Sequence, residues 1–349
     1  MELLPIRLDL EQMRQNLLRQ REPERVFFFE HAIADNVKDQ LAQRFNVDER
    51  ISGSPGGREW KWRREIELQR ALGFELFRVW LPGADFKIAG VAGTSFEEEH
   101  VGPLQSWADL EKYPWPDPGR IDFSQLEYYD RRLPSDMGVY HVVTLWETVR
   151  RLIGFESFCY KLYEEPQFID EVVQRVASFQ MAFVQALCHF RCVFAVYASD
   201  DYGYKSSTLM APQIIVDRFL TRHKALGDLT HRHSKLLFFH SCGKVDPLMD
   251  YLIDEVQIDA KHSFEDVIVP VTEAKKRWGK RVSLLGGLDV DFIARSDEQA
   301  IRQRVRETLE ACQVGGGYCL GLGNWVTAYI PVDNYLAMLD EGRRFGMGS

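Results

Sequence analysis

No stretch of this sequence stays apolar for the roughly 18 residues that a membrane-spanning helix requires. The opening MELLPIRLDLEQMRQNLLRQ puts acidic and amide side chains where a secretory signal would need a basic flank and an unbroken apolar run. No membrane association is expected, and the cytoplasm is the expected compartment. Blocks of lysine and arginine are missing too. With 43 basic against 52 acidic residues, and a net charge of -9, the chain has no footprint for a phosphate backbone. Nucleic acid is not an expected partner. Cysteine is sparse, at six residues, and in a reducing compartment the thiols serve as ligands rather than bridges. Cys159, Cys188, Cys192 and Cys312 read as ordinary buried thiols.

What is present is apolar and aromatic surface, 45% and 12% of 349 residues, enough to bury a large core. Eight β-branched or aromatic runs read as strands: RVFFFE (25–30), FELFRVW (74–80), VYHVVTLWE (139–147), VFAVYAS (193–199), KLLFFH (235–240), VQID (256–259), RVSLLGG (281–287) and GYCLGLG (317–323). Between them, ADNVKDQLAQRF, PQFIDEVVQRVASFQMAFVQALCHF, PQIIVDRFLTRHKALGDLTHRH and DEQAIRQRVRETLEAC repeat apolar residues at helical spacing. Strand and helix alternating eight times predict an α/β protein, a single (β/α)8 TIM barrel, with an open doubly wound sheet as the competing fold. Residues 1–24 read as an amino-terminal helical extension. Residues 86–138 interrupt the alternation, and KYPWPDPGRIDF there carries prolines that forbid a long helix; the segment reads as an insertion covering the barrel mouth. SGSPGGREWKW (52–62) reads as a glycine-rich loop.

In such a barrel chemistry gathers where strands end. Those positions hold Glu30, Glu147, Asp200, Asp201, His240, Cys242, Asp259, His262, Asp289, Cys319 and Asn324. His240 and Cys242, in KLLFFHSCGKV, are two apart, so an extended segment turns both to one side. Cys319 ends the last strand, and a barrel would carry it across the mouth from the His-x-Cys strand. One imidazole and two thiolates suit zinc and leave a fourth position open. A core histidine beside an inert thiol is the plain alternative. Adjacent carboxylates at Asp200 and Asp201 raise one another's pKa, so either could relay a proton; either could equally cap the next segment or pair with Lys205. Glu147 reads as a fourth ligand, a substrate contact or an acidic helix start. Trp60, Trp62, Trp80, Trp146 and Trp325 fall near loops and strand ends, where they could line a flat pocket or simply pack. Trp146, Trp325, Asn324 and Glu30 are the substrate-binding candidates. His231 and His233 precede a strand and read as surface residues.

HSCGKVDPLMDYLID, LLGGLD, GYCLGLGN and IPVDNYLAML together resemble the uroporphyrinogen decarboxylase superfamily, as do LWETVRRLIGFESFCYKLYEEP and SDDYG. More narrowly they look like its cobalamin-linked methyltransferase branch, with His-x-Cys-Gly followed much later by a single cysteine. The resemblance runs from about residue 25 to 345 and implies a (β/α)8 barrel.

For function, the resemblance implies zinc on His240, Cys242 and Cys319. It also implies a corrinoid protein partner whose cob(I)alamin takes the methyl group; Asp200, Asp201 and Glu147, from their positions at the strand ends, are the catalytic candidates. The aromatic content favours a methoxylated aromatic as the small-molecule donor. Two departures stand beside the matches. Nothing before Gly57 resembles the RQAGRY-type segment that binds substrate carboxylates in porphyrin decarboxylases. ERVFFFEHAIADNVKDQLAQRF is unlike the start of the methyltransferases that serve coenzyme M-type thiols. A methylcobamide-to-thiol transferase, a decarboxylase-like lyase and a noncatalytic binding barrel are the alternatives.

Overall fold

Strand positions follow the β-branched and aromatic runs closely. In the computed structural model, which describes residues 3–53, 55–88 and 101–345, seven strands form: β1 (Leu76–Val79), β2 (Gly138–Val143), β3 (Val193–Ser199), β4 (Leu236–His240), β5 (Ala260–His262), β6 (Ser283–Leu285) and β7 (Tyr318–Cys319). Their order in the sheet is their order in the chain. β3 pairs with β4, β5 with β6 and β6 with β7, all in parallel. Parallel neighbours need a crossover, here supplied by the helices between strands. The described chain divides into two compact units, Met1–Val79 with Gln125–Tyr140 and Ile258–Ser349, and Trp80–Ser124 with His141–Gln257.

In the first unit, the expected strand at residues 25–30 appears as a short paired segment. Phe28 bridges Leu320 in parallel, with Phe29 N donating to Leu320 O at 2.9 Å and Leu320 N to Phe27 O at 2.8 Å. Phe27, Phe28 and Phe29 are fully buried. The approach is close because Gly321 has no side chain: a Cβ there would stand 1.9 Å from Phe29 O. Two expectations shift. VQID is not a strand, because Gln257 turns to φ +59° and extended pairing begins only at Ala260. Trp60 and Trp62 are not in a loop: the glycine run ends at Gly57, which caps the helix Arg58–Leu72, and both rings lie on that helix. Within residues 1–24, Leu10–Leu17 form a helix, with Asp9 accepting from Gln12 N at 2.9 Å. Asp297 caps Glu298–Cys312 in the same way.

In the second unit, β3 and β4 form over the lengths their sequences suggest, in register from Ala195↔Leu236 to Ser199↔His240. The run VYHVVTLWE stops being a strand at Val143; Trp146 and Glu147 begin the helix Trp146–Ile153. The helix Pro166–Leu187 buries Phe168, Ile169, Val172, Val173, Val176, Phe179, Phe183 and Val184, the stripe its spacing forecasts. PQIIVDRFLTRHKALGDLTHRH is helical throughout, with a π-helical turn at Val216–Leu220 between Pro212–Ile215 and Thr221–Arg232. After Lys112, which ends the helix Trp107–Lys112, KYPWPDPGRIDF forms only the 3-10 turn Pro118–Arg120. Of the segment expected as an insertion, the described residues in this unit lie along Pro166–Leu187: Phe123 stacks on Phe183, Phe86 meets Phe179 at 5.1 Å, and Trp107 meets Phe168 at 5.5 Å. Its residues 89–100 lie outside the described residues.

Candidate metal centre at the ends of two strands

Parallel pairing brings the ends of β3 and β4 side by side, and Asp200 N donates to His240 O at 3.0 Å. Beyond this point the two chains run into loops that touch at glycines. Gly243 has φ +76° and a Cβ there would meet Gly203 at 2.3 Å, while Lys244 N donates to Tyr204 O at 2.7 Å. A side chain at either glycine would part the loops that carry Asp201 and Cys242.

His240 and Cys242 do face each other, with Cys242 Sγ 3.3 Å from His240 Nε2. Asp201 completes the group. Its Oδ1 accepts from Cys242 N at 2.7 Å and lies 3.4 Å from His240 Nε2. The ligand atoms of Asp201, His240 and Cys242 lie within 4.8 Å of one another. Imidazole, thiolate and carboxylate are all zinc ligands, and three protein donors leave a position for substrate, so this donor set fits the metal. The other ring nitrogen of His240 is 3.3 Å from the Tyr197 hydroxyl. Burial disfavours the His240 imidazolium, but Cys242 and Asp201 outweigh it and push the pKa up to about 9. Burial alone would raise Asp201; its bonds to His240 and the Cys242 N–H hold it well below the usual carboxylate range instead.

Asp200, one residue earlier, has a different environment. It is fully buried, accepting from Leu145 N at 3.0 Å, Glu147 N at 2.9 Å and His223 Nε2 at 2.9 Å. Its carboxylate thus binds the amino-terminal end of the helix Trp146–Ile153, where negative charge is favoured. The Tyr202 hydroxyl joins this cluster, 3.2 Å from His223 Nε2. Glu147 pairs with Arg150 at 2.8 Å. Burial raises its pKa, Arg150 draws it back, and Asp201 and Asp200 push it up again. Trp146 is enclosed, 4.9 Å from Phe158 and 5.3 Å from Phe219 between ring centroids, and its indole N–H donates to Asp201 O at 3.1 Å.

The remaining candidates belong to the other unit. Glu30 is buried with both carboxylate oxygens 3.3 Å from Leu322 N, and burial lifts its pKa well above the usual range against that hydrogen bond. His31 and His262 stack at 5.7 Å, and His31 meets the edge of Trp325, which is 45% exposed and so open to a ligand. Asn324 is half-buried. Cys319 is fully buried in β7, 3.8 Å from Asn16 Nδ2, and burial pushes its thiol far above the ordinary range. The structure therefore brings His240, Cys242, Asp201, Asp200, Glu147 and Trp146 into one unit, and Glu30, Asn324, Trp325 and Cys319 into the other. Sequence reasoning missed Tyr197, which shares the face of β3 with Ser199 by period-two alternation and could have been found that way. It also missed His223, a mid-helix histidine with no local signal, and His31.

Fold and donor set define an α/β protein of parallel-sheet build with a metal-competent strand end. The model of the uroporphyrinogen decarboxylase family matches residues 131–345, more than half of the chain, and the chain belongs to that family. Curated uroporphyrinogen decarboxylases of Cupriavidus necator and Thioalkalivibrio sulfidiphilus are 34% and 33% identical over 82 residues, 23% and 24% of this chain. The matched stretch spans only 22% and 23% of those relatives' own length. Among solved structures, a methyltransferase from Methanosarcina mazei aligns over 97% of this chain and 99% of its own with a TM-score of 0.72 and 15% identity. That likeness establishes a shared fold.

Proposed function

We propose that this chain is a zinc-dependent methyltransferase of the uroporphyrinogen decarboxylase family. In this reading it works in the cytoplasm and moves a methyl group from a methoxylated aromatic to the cob(I)alamin of a separate corrinoid protein. The observation that carries the reading is the donor set of His240, Cys242 and Asp201 at the ends of β3 and β4. The fold shared with the Methanosarcina mazei methyltransferase supports it. Cys319, the third ligand expected from sequence, is the competitor of Asp201 for the metal. We further infer that residues 27–29, paired to Leu320 and with Phe28 edge-on to Phe74 at 6.1 Å, are the eighth member of a closed (β/α)8 barrel.

When bound, zinc supplies a Lewis acid that polarises the aryl ether oxygen. The chain's own residues do the rest. Tyr197 orients the His240 ring through Nδ1, leaving Nε2 for the donor set. Asp201 fixes the Cys242 backbone and adds negative charge beside the imidazole. Asp200 anchors the first turn of Trp146–Ile153 and so positions Glu147. As the methyl carbon leaves, the C–O bonding pair stays on oxygen. Glu147, whose pKa burial raises against the pull of Arg150, is the group placed to pass a proton to the departing phenolate.

A lyase reading is favoured by one observation, the decarboxylases among the curated relatives. The deciding experiment combines elemental analysis with anaerobic incubation of methoxylated aromatics, the protein and cob(I)alamin, read by methylcobalamin absorbance. About one zinc per chain and methoxy-dependent methylcobalamin are the expected results. A metal-free protein that releases carbon dioxide from a porphyrinogen would replace this reading with the lyase.

A further inference from the structure

Ile6, Arg7, Val26, Arg343 and Phe345 help to line a cavity of about 570 Å³ in the first unit. It lies on the amino-terminal side of the strands, since Val26 precedes the paired segment 27–29. Its volume is that of a small-molecule site. Arg343, from the helix Val332–Arg344, is only 7% exposed. Its guanidinium donates to two neutral carbonyls, Leu4 O and Ala71 O, and its Nε has no partner among the described residues. No carboxylate among the described residues forms an ion pair with it. Burial draws Arg343 down to about 10 and Asp340 and Glu75 offset it only from a distance, so a buried cation without a direct ion pair remains, still charged at neutral pH.

The other charges around the cavity are accounted for, with one exception. Glu24 pairs with Arg21, Arg25 with Glu75, and Asp9 is engaged with Gln12 N. Arg7 is exposed and forms no ion pair among the described residues. The lining thus carries three guanidiniums, Arg7, Arg25 and Arg343, against the carboxylates of Asp9 and Glu24, and two of the three form no ion pair among the described residues, set among the apolar surfaces of Pro5, Ile6, Val26 and Phe345.

We propose that this cavity binds a small monocarboxylate with an apolar body. A guanidinium fork suits a carboxylate, the apolar walls suit its hydrocarbon part, and Asp9 and Glu24 in the lining disfavour a phosphate dianion. The inference is independent of methyl transfer.

Isothermal titration of the full chain with benzoate, and with benzamide as its neutral isostere, tests it. Benzoate should bind saturably, about tenfold or more tighter than benzamide, and raise the melting temperature. Ile6→Trp, which fills the cavity from a partly exposed position, should weaken benzoate binding about tenfold. Arg343→Gln should abolish the preference for benzoate. Should that variant fail to fold, Arg7→Gln, at an exposed position, should reduce the preference instead. Absence of saturable benzoate binding, equal binding of benzamide, or benzoate binding unchanged in Ile6→Trp would each overturn the proposal; the last would locate the ligand elsewhere, the metal centre included.

Discussion

The carboxylate of Asp200 and the imidazole of His223 meet at 2.9 Å with neither side chain exposed. Together with the amides of Leu145 and Glu147, this makes Asp200 an acceptor for three donors, two of them fully buried. Asp200→Ala leaves all three without it, at about 1–3 kcal/mol for each unsatisfied group. The expected outcome is a loss of at least about 3 kcal/mol in urea denaturation, with Asp200→Asn losing less because one oxygen remains. Wild-type stability in Asp200→Ala would remove the structural role assigned to this residue.

Metal content separates the two candidates for the third ligand. Zinc should fall well below one equivalent in His240→Ala, Cys242→Ser and Asp201→Ala, and stay near wild type in Cys319→Ala. Elemental analysis after dialysis reads both. Retention in Asp201→Ala with loss in Cys319→Ala would reverse the assignment and require the Cys319 thiol to leave Asn16.

Tyr197→Phe removes only the hydroxyl 3.3 Å from His240 Nδ1. Loss of an outer partner of a ligating histidine lowers metal affinity by about 10–100-fold. Competition against a chromogenic chelator measures it. Folding stability should change by no more than about 1 kcal/mol, the worth of one hydrogen bond. A variant with unchanged affinity would show that the ring needs no help from Tyr197.

Glu30 predicts a pH dependence. Burial raises its pKa in the folded state above the unfolded value, so the native protein holds the proton more tightly. Between those two values stability falls as pH rises, and above the folded value the loss is complete. Glu30→Gln can still accept from Leu322 N but cannot ionise, so its melting temperature should gain on wild type as pH increases from about 4. Parallel melting curves across pH would contradict this.

The sequence made β3 and β4 legible because their runs are long, apolar and closed by polar residues, and His240 with Cys242 followed from that boundary. VQID was misleading because a left-handed Gln257 is invisible to composition. Trp146 looked like a pocket wall because aromatics at strand ends serve both purposes; only the phenylalanines around it, distant in sequence, decide for packing. Asp200 and Asp201 were indistinguishable as neighbours in SDDYG. What separates them is that one side chain meets the helix Thr221–Arg232 while the other meets Cys242. That division of labour is tertiary.

The π-helical turn at Val216–Leu220 accommodates one residue more than an α-helical turn would. Everything after it is therefore rotated by about 100° from where an unbroken helix would carry it. His223 follows three positions later and owes its heading toward Asp200 to that offset. A one-residue deletion there is thus a phase error, swinging the imidazole round the helix while leaving the chemistry of the segment intact. The outward-facing positions of this stretch should vary in composition while its length stays fixed and Phe219 and Leu220 stay apolar.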